Sequence, residues 1–284
     1  MIPIGEAEIL RLLSEVNSLP ALPTVVHAVT RRITNPRSSA AEVGRLLAHD
    51  QALTARVLRL ANSAFYAPRE AVKNPEHAVV LMGLSTVRTI ILKASIFTAF
   101  DMASAKPFWL HALGAACSAS AIARVSGLGR PDDAFIMGLL HDLGKLALAK
   151  FLPDLYAQVR ARVERDGGLI REAEMAVLGC DHATVGRFLC EHWSLPFDYR
   201  IAIAAHHNLD QADDTHRPWA ALVHLADAMS RALLIGSGGD NSIPVLDPRV
   251  LKLLGLNEDR FDDLFTAAEE ELGRAEVFFT ILND

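Results

Sequence analysis

A chain of 284 residues with 51% hydrophobic and 22% charged side chains can bury a sizeable core and is too apolar to be intrinsically disordered. Its formal net charge of −6 and pI near 6.0 argue against long-range steering toward a nucleic-acid backbone. Cys117, Cys180 and Cys190 form no Cys-x-x-Cys pair and are odd in number, which excludes a complete disulfide framework and fits a reducing cytoplasm. The opening Met1-Ile2-Pro3-Ile4-Gly5-Glu6 lacks the basic region and apolar core of a signal peptide. No apolar run reaches the roughly 18 to 20 residues that a membrane helix needs. A soluble, cytoplasmic protein is expected.

Aromatics make up only 6% while Ala and Leu abound, a composition that favours helix, and helix punctuation recurs along the chain. Pro20 and Pro23 precede an apolar-periodic helix over residues 24–33, which Asn35-Pro36 closes. Ser38-Ser39 caps a helix through Ala48, and Asp50 caps the next, over residues 51–62. Asn74-Pro75 starts another by the Asn-cap, proline-at-first-turn rule, and Gly83 ends it. Ser85 opens a very apolar helix running to about Phe100. The small, polar stretch Asp101-Met102-Ala103-Ser104-Ala105-Lys106-Pro107 is read as a boundary. Beyond it, residues 108–125 form a helix carrying His111, and Pro131-Asp132-Asp133 initiates the helix that leads into His141-Asp142. Helices follow over residues 155–164, ended by Gly167-Gly168, and 182–193, capped by Asp181 and stopped by Pro196. Two more cover residues 197–207 and 219–234. Gly236-Ser237-Gly238-Gly239 reads as a flexible connector, and residues 246–282 hold two further helical segments. No segment shows sustained period-two alternation. The fold expected is all-α: an N-terminal helical part (residues 1–104), a metal-binding helical bundle (105–235), and a linker with C-terminal helices (236–284).

Set in these apolar helices are ligand-type side chains whose burial without a partner would be costly. Divalent transition metals favour imidazole and carboxylate, and His111, His141, Asp142 and Asp227 supply both from separate helices. Successive helical residues point about 100° apart, so the His141-Asp142 doublet can touch one ion only where its helix end faces a cleft. Gly144 allows the close approach or the helix termination such a cleft requires. Asp227 lies among small and apolar neighbours, and on its own reads most simply as a salt bridge to an Arg or Lys or as an exposed helix edge. With the other ligands it reads as part of a metal site. His182, His206 and His207 form a candidate second ion site, with Asp142 bridging. Two close ions suit phosphoester hydrolysis, which gives Asp142 and Lys145 catalytic roles, Lys145 as a point charge on a phosphate. Lys145 reads equally well as a solvated lysine near a helix C-terminus. His27, His49, His77, His192, His216 and His224 are read as surface or supporting residues, His224 lying one turn before Asp227.

The order His, His-Asp, His, His-His, Asp resembles the HD superfamily of metal-dependent phosphohydrolases. Further motifs narrow the resemblance to the HDOD family of HD-related output domains: Leu19-Pro20-Ala21-Leu22-Pro23, His49-Asp50-Gln51-Ala52-Leu53, Leu60-Ala61-Asn62-Ser63-Ala64-Phe65-Tyr66, Ala78-Val79-Val80-Leu81-Met82-Gly83-Leu84 and Glu191-His192-Trp193-Ser194-Leu195-Pro196. It covers about residues 19–234. It implies an N-terminal helical subdomain packed on an HD-like bundle, in a bacterial signalling protein. Many members have lost metal ligands and act as regulatory or interaction modules, whereas the ligand positions here are filled. The superfamily's roles carry over to His111, His141, Asp142 and Asp227 for a first ion. The related HD-GYP branch, which hydrolyses cyclic di-GMP, suggests His182, His206 and His207 for a second. No Gly-Tyr-Pro follows His206-His207, and Pro107 stands where some relatives carry a glutamate that serves a third ion.

Three functions follow as alternatives: a regulatory module that binds a signalling partner protein, a phosphohydrolase using one or two divalent ions (Fe, Mn, Zn or Mg) on a nucleotide or cyclic dinucleotide, and DNA binding. The last would use residues 86–93 as a recognition helix, but that segment has two basic residues and a largely apolar face, where base readout needs polar side chains.

Overall fold

The computed structural model describes residues 3–16, 22–33, 35, 37–63, 66, 68–100 and 106–283. The Leu19-Pro20-Ala21 part of the first family motif, Ala64-Phe65 of the third, Pro36, and most of the boundary read at residues 101–107 lie outside that set. Among the described residues there are helices and no strand. Sixteen α-helices follow in chain order: α1 Glu6–Glu15, α2 Thr24–Ile33, α3 Ala40–Leu47, α4 Gln51–Ala61, α5 Pro75–Met82, α6 Leu84–Phe100, α7 Lys106–Ser126, α8 Pro131–Leu140, α9 Leu143–Phe151, α10 Pro153–Asp166, α11 Ile170–Leu178, α12 His182–His192, α13 Phe197–Ala205, α14 Arg217–Ala232, α15 Val250–Leu253 and α16 Phe261–Asn283.

The expected caps are in place. Ser39 and Glu42 form a reciprocal capping box at α3, while Asp50, Asn74 and Asp181 each accept a backbone N–H from the first turn of α4, α5 and α12. Three helices were not foreseen: α1, α9 and α11. Neither Gly5 before α1 nor Leu169 before α11 makes a side-chain cap, so neither start carries the usual signal. Helix α9 begins just after the His-Asp doublet, at Leu143, so Gly144 lies inside a helix and does not terminate one.

The chain divides into two compact units. Residues 1–20 and 102–272 make one, and residues 21–101 and 273–284 make the other. In the second unit, α2 packs on α3 and α6, and α3 on α5, around Val26, Val29, Val43, Leu47, Val57 and Leu60.

The first unit is centred on α7, against which α8 and α14 pack, while α12 packs on α9 and α13. Helix α7 is long and apolar enough to cross a membrane by length and composition, which the sequence expectation missed, yet most of it is buried inside the protein. Its run of Ala, Gly, Ser and Cys from Gly114 to Ala121 gives a slim helix that neighbours can approach closely. The glycine run at residues 236–239 is not a loose connector. A Cβ on Gly236, whose φ is +68°, would run into the Pro107 carbonyl and the His111 backbone nitrogen, so this loop packs directly over the start of α7.

Helices α9 and α12 meet most tightly at Gly144, where a Cβ would overlap the His182 carbonyl oxygen and lie 2.9 Å from the Gly186 nitrogen. Both obstacles are backbone and neither can rotate away. Gly144→Ala is therefore expected to lower unfolding stability by about 1–3 kcal/mol, the usual cost of overpacking. An unchanged urea midpoint would show that α9 and α12 can separate freely.

Candidate metal centre

Seven side chains that the sequence placed far apart converge in the first unit. His111 comes from the first turns of α7, His141 and Asp142 from the two-residue break between α8 and α9, and His182 from the first position of α12. His206 and His207 follow the last turn of α13, and Asp227 lies in α14. All are buried except His207, which is half-buried. The break after Leu140 lets the doublet act together: Asp142 leaves helical geometry at ψ 6°, and its Oδ2 sits 3.3 Å from His141 Nε2. The same oxygen is 3.3 Å from His111 Nε2, and Asp227 Oδ1 is 3.1 Å from His111 Nε2 and 3.7 Å from His141 Nε2. On the other side, Asp142 Oδ1 is 3.0 Å from His182 Nε2, which lies 2.9 Å from His207 Nε2. Asp142 thus touches both groups of histidines.

Hydrogen bonds at the far side of each ring decide what the near side can do. His141 Nδ1–H donates to the Gly138 carbonyl at 2.7 Å and His206 Nδ1–H to the Ile203 carbonyl at 2.6 Å. His182 Nδ1–H donates to Glu174 Oε2 at 2.6 Å. The Ser230 hydroxyl donates to the His111 carbonyl and so is left to accept from His111 Nδ1, 3.2 Å away. A neutral imidazole with its proton on Nδ1 presents a bare lone pair at Nε2. Consistent with this, Nε2 of His111, His141 and His206 and Oδ1 of Asp142 are buried without a hydrogen-bond partner. Lone pairs facing carboxylate oxygens in a dry interior repel unless a proton or a metal cation lies among them. Three overlapping sets of ligand atoms are close enough to share one ion: His111 with His141 and Asp227, His141 with Asp142 and His206, and His182 with His206 and His207. The donor set, imidazoles with carboxylate, suits a divalent transition ion.

Two cations border this cluster. Lys145 is buried in the first turn of α9, 2.7 Å from Asp142 Oδ2 and 2.8 Å from the Gly238 carbonyl, so it is neither solvated nor near a helix C-terminus. Arg231, one turn after Asp227 on α14, donates Nε to Asp227 Oδ1 at 2.8 Å and Nη1 to Asp240 Oδ1 at 2.7 Å and to the Ser242 carbonyl at 2.9 Å. Asp227 is thus both ion-paired and in the cluster. The loop after α14 accepts hydrogen bonds from both cations, and a cavity of about 240 Å³ beside it is lined by His182, His207, Asp227, Arg231, Ile170 and Asp240. A larger groove of about 640 Å³ lies in the second unit, between α2 and α3. Its wall of Arg31, Arg32, Arg45, Glu42 and His49 contains no comparable set of metal ligands.

Burial favours the neutral acid of Asp142, yet His141, Lys145 and His182 hold its carboxyl well below the usual range. Burial opposes Asp227 in the same way, and His111, His141 and Arg231 hold it down. Desolvation works against charge on His141 as well, but the two carboxylates outweigh it and lift that imidazole to about 9. Burial, then His141 and His182, push His206 down to about 3. The cluster therefore draws positive charge toward the carboxylates and leaves the outlying imidazole neutral.

Sequence reasoning named all seven of these residues and Lys145, and missed Glu174, Arg231, Asp240 and the serine beneath His111. Of the histidines set aside, His224 is buried and its Nδ1 donates to the His206 carbonyl at 2.8 Å, a supporting role. His49, His77 and His192 are exposed, and His27 and His216 half-buried.

Comparison with known proteins identifies the family and the fold. The HDOD domain model matches residues 19–209. The structure is similar to that of an HDOD domain protein of unknown function from Geobacter sulfurreducens, with TM-score 0.76, 28% identity, and 97% of this chain and 98% of that one covered. It is also similar to a candidate phosphohydrolase from Shewanella amazonensis SB2B, with TM-score 0.68, 26% identity, and coverage of 95% and 96%. A candidate signal-transduction protein from Marinobacter aquaeolei VT8 shares the fold at TM-score 0.77 and 21% identity, over 98% of this chain and 64% of that one. An uncharacterized protein of Treponema pallidum (strain Nichols) is 25% identical over 224 residues, 77% of this chain but only 43% of that relative's length.

Coordination requires a neutral imidazole, and His141 with a pKa of about 9 carries a proton near neutral pH. Loading the metal-free protein with Mn²⁺ near neutral pH should therefore release at least about one proton, and apparent affinity should rise with pH and level off above about 9. Titration calorimetry in two buffers of different ionisation enthalpy reads the release directly. Heats that do not depend on the buffer would contradict it.

Proposed function

We propose that this chain, which belongs to the HDOD domain family, is a metal-binding bacterial signalling module whose centre retains the means for phosphoester hydrolysis. One observation carries the reading: buried Nε2 atoms of His111, His141 and His206 have no hydrogen-bond partner, and those of His111 and His141 lie 3.1 to 3.3 Å from two buried carboxylates. His111, His141, Asp142 and Asp227 would hold one divalent ion, and His182, His206 and His207 a second, with Asp142 shared. Of the ions expected, Fe, Mn and Zn suit this imidazole-rich donor set better than Mg, which prefers oxygen ligands. Ions bound there would supply Lewis acidity toward a phosphoryl group and its attacking water.

The chain's own groups prepare the site for that chemistry. Asp142, held as a carboxylate between Lys145 and the imidazoles, fixes the spacing of the two halves. Lys145 spends hydrogen bonds on Asp142 and Gly238 and, as an ammonium with three donors, has one left for a phosphoryl oxygen. Arg231 keeps Asp227 oriented and charged. The apolar faces of α7, α8 and α13 keep bulk water from the ligand atoms. Three buried cysteines that form no disulfide with one another fit a cytoplasmic setting.

A second reading, regulation by docking a signalling partner protein, draws on Val80 and Leu81, apolar residues of α5 that are exposed by 69% and 36%. The two readings separate experimentally. After Mn²⁺ supplementation, wild-type protein is expected to hydrolyse bis(p-nitrophenyl) phosphate or a cyclic dinucleotide, and the His141→Ala, Asp142→Ala double variant to lose at least about 100-fold of that rate along with its metal. Activity unchanged in the double variant would rule out this centre as the hydrolytic site. Metal loading without turnover would favour the docking reading.

A further inference from the structure

Resting on the metal-centre reading, we infer that Glu174 is a positioning residue which acts through His182 to make the His182–His206–His207 half of the centre able to bind an ion. Glu174 lies on α11 and is fully buried, at 0% exposure. Its Oε2 accepts two hydrogen bonds from one residue, the backbone N–H of His182 at 2.9 Å and the ring Nδ1–H at 2.6 Å. Its Oε1 accepts from the Tyr156 hydroxyl at 3.2 Å. Among the described residues no lysine or arginine is ion-paired with it, and its ion-pair partner is His182. A carboxylate buried without a full cation is costly to desolvate, so its retention calls for a compensating role.

The other ring anchors are weaker. His141 and His206 lean on backbone carbonyls three residues earlier, and His111 faces a serine hydroxyl. Of these four rings, His182 alone has a carboxylate behind it among the described residues. The charge distribution of the centre explains why. The half formed by His111 and His141 has Asp227 as a carboxylate of its own and shares Asp142. The half formed by His182, His206 and His207 contributes three imidazoles, no carboxylate of its own, and only its share of Asp142. Glu174 supplies the missing charge one bond further out. It polarises the His182 ring, strengthens Nε2 as a donor, and holds that atom toward Asp142 and His207. The twin hydrogen bonds also fix ring and backbone together, so His182 cannot swing away when metal-free.

The test is Mn²⁺ titration of metal-free protein, followed calorimetrically and by electron paramagnetic resonance, for wild type, Glu174→Gln, Glu174→Asp and His182→Ala. Wild type is expected to bind two ions. Glu174→Gln, whose single carbonyl oxygen can still accept from His182 while its NH2 donates to the Tyr156 hydroxyl, should lose about 10- to 100-fold in affinity for one ion and change the other by less than about threefold. Glu174→Asp should recover part of the loss. Combining Glu174→Gln with His182→Ala should weaken binding no further than His182→Ala alone, as expected when one residue acts through the other. If wild type binds two ions and Glu174→Gln matches it, or loses both equally, this inference fails while the metal centre stands. A single ion in wild type, bound without the His182 half, overturns it as well. No Mn²⁺ uptake by wild type would bring down the metal-centre reading itself.

Discussion

The site-bearing unit depends on one constraint: the buried carboxylate of Asp142 has to be satisfied from every side. It faces His111, His141 and Lys145 through one oxygen and His182 through the other. No single helix can deliver such partners. They come from α7, the α8–α9 break, α9 and α12, and each of these must reach the same point within about the length of a hydrogen bond. The burial that makes an isolated carboxylate expensive is also what makes the converging arrangement strong.

Several features of the fold follow from that requirement. A continuous helix through residues 131–151 would point His141 and Asp142 about 100° apart, so the helix is interrupted there and restarts at Leu143. Bringing His182 to Asp142 requires α12 to start against α9, which the missing side chain at Gly144 permits. The small residues of α7 let α8 and α14 close in around His111. The loop after α14 then returns across the site, its Gly238 carbonyl taking Lys145 and its Asp240 taking Arg231. In this way a loop that looks like a spacer by composition becomes part of the electrostatics of the centre.

The converging histidines and aspartates were legible in the sequence because imidazoles and carboxylates inside apolar helices are conspicuous, and because the His-Asp doublet sits at an evident helix end. Most helices were legible from their caps. What could not be read were partners defined by packing alone. Glu174 lies in α11, a helix without a side-chain N-cap, in a segment that looks like an ordinary charged surface stretch, Arg171-Glu172-Ala173-Glu174. Only the way α10 packs on α11 shows that Glu172 faces outward and Glu174 inward. The period of three to four residues from Ile170 through Ala173–Glu174 to Val177 was the available signal, masked because one member of the buried stripe is charged. Arg231 and Asp240 were similarly hidden, since their pairing spans a glycine-rich loop whose path the sequence does not specify. The missed membrane-length stretch in α7 has a related cause: a helix at the centre of a bundle is apolar all round.

The account stands or falls on whether the converging lone pairs bind cations. Anomalous diffraction from crystals grown with Mn²⁺ tests this most directly. The account predicts two peaks, one among His111, His141, Asp142 and Asp227 and one among His182, His206 and His207, with Asp142 reaching both. A map with no anomalous density at these side chains, or density only at surface carboxylates, would contradict it.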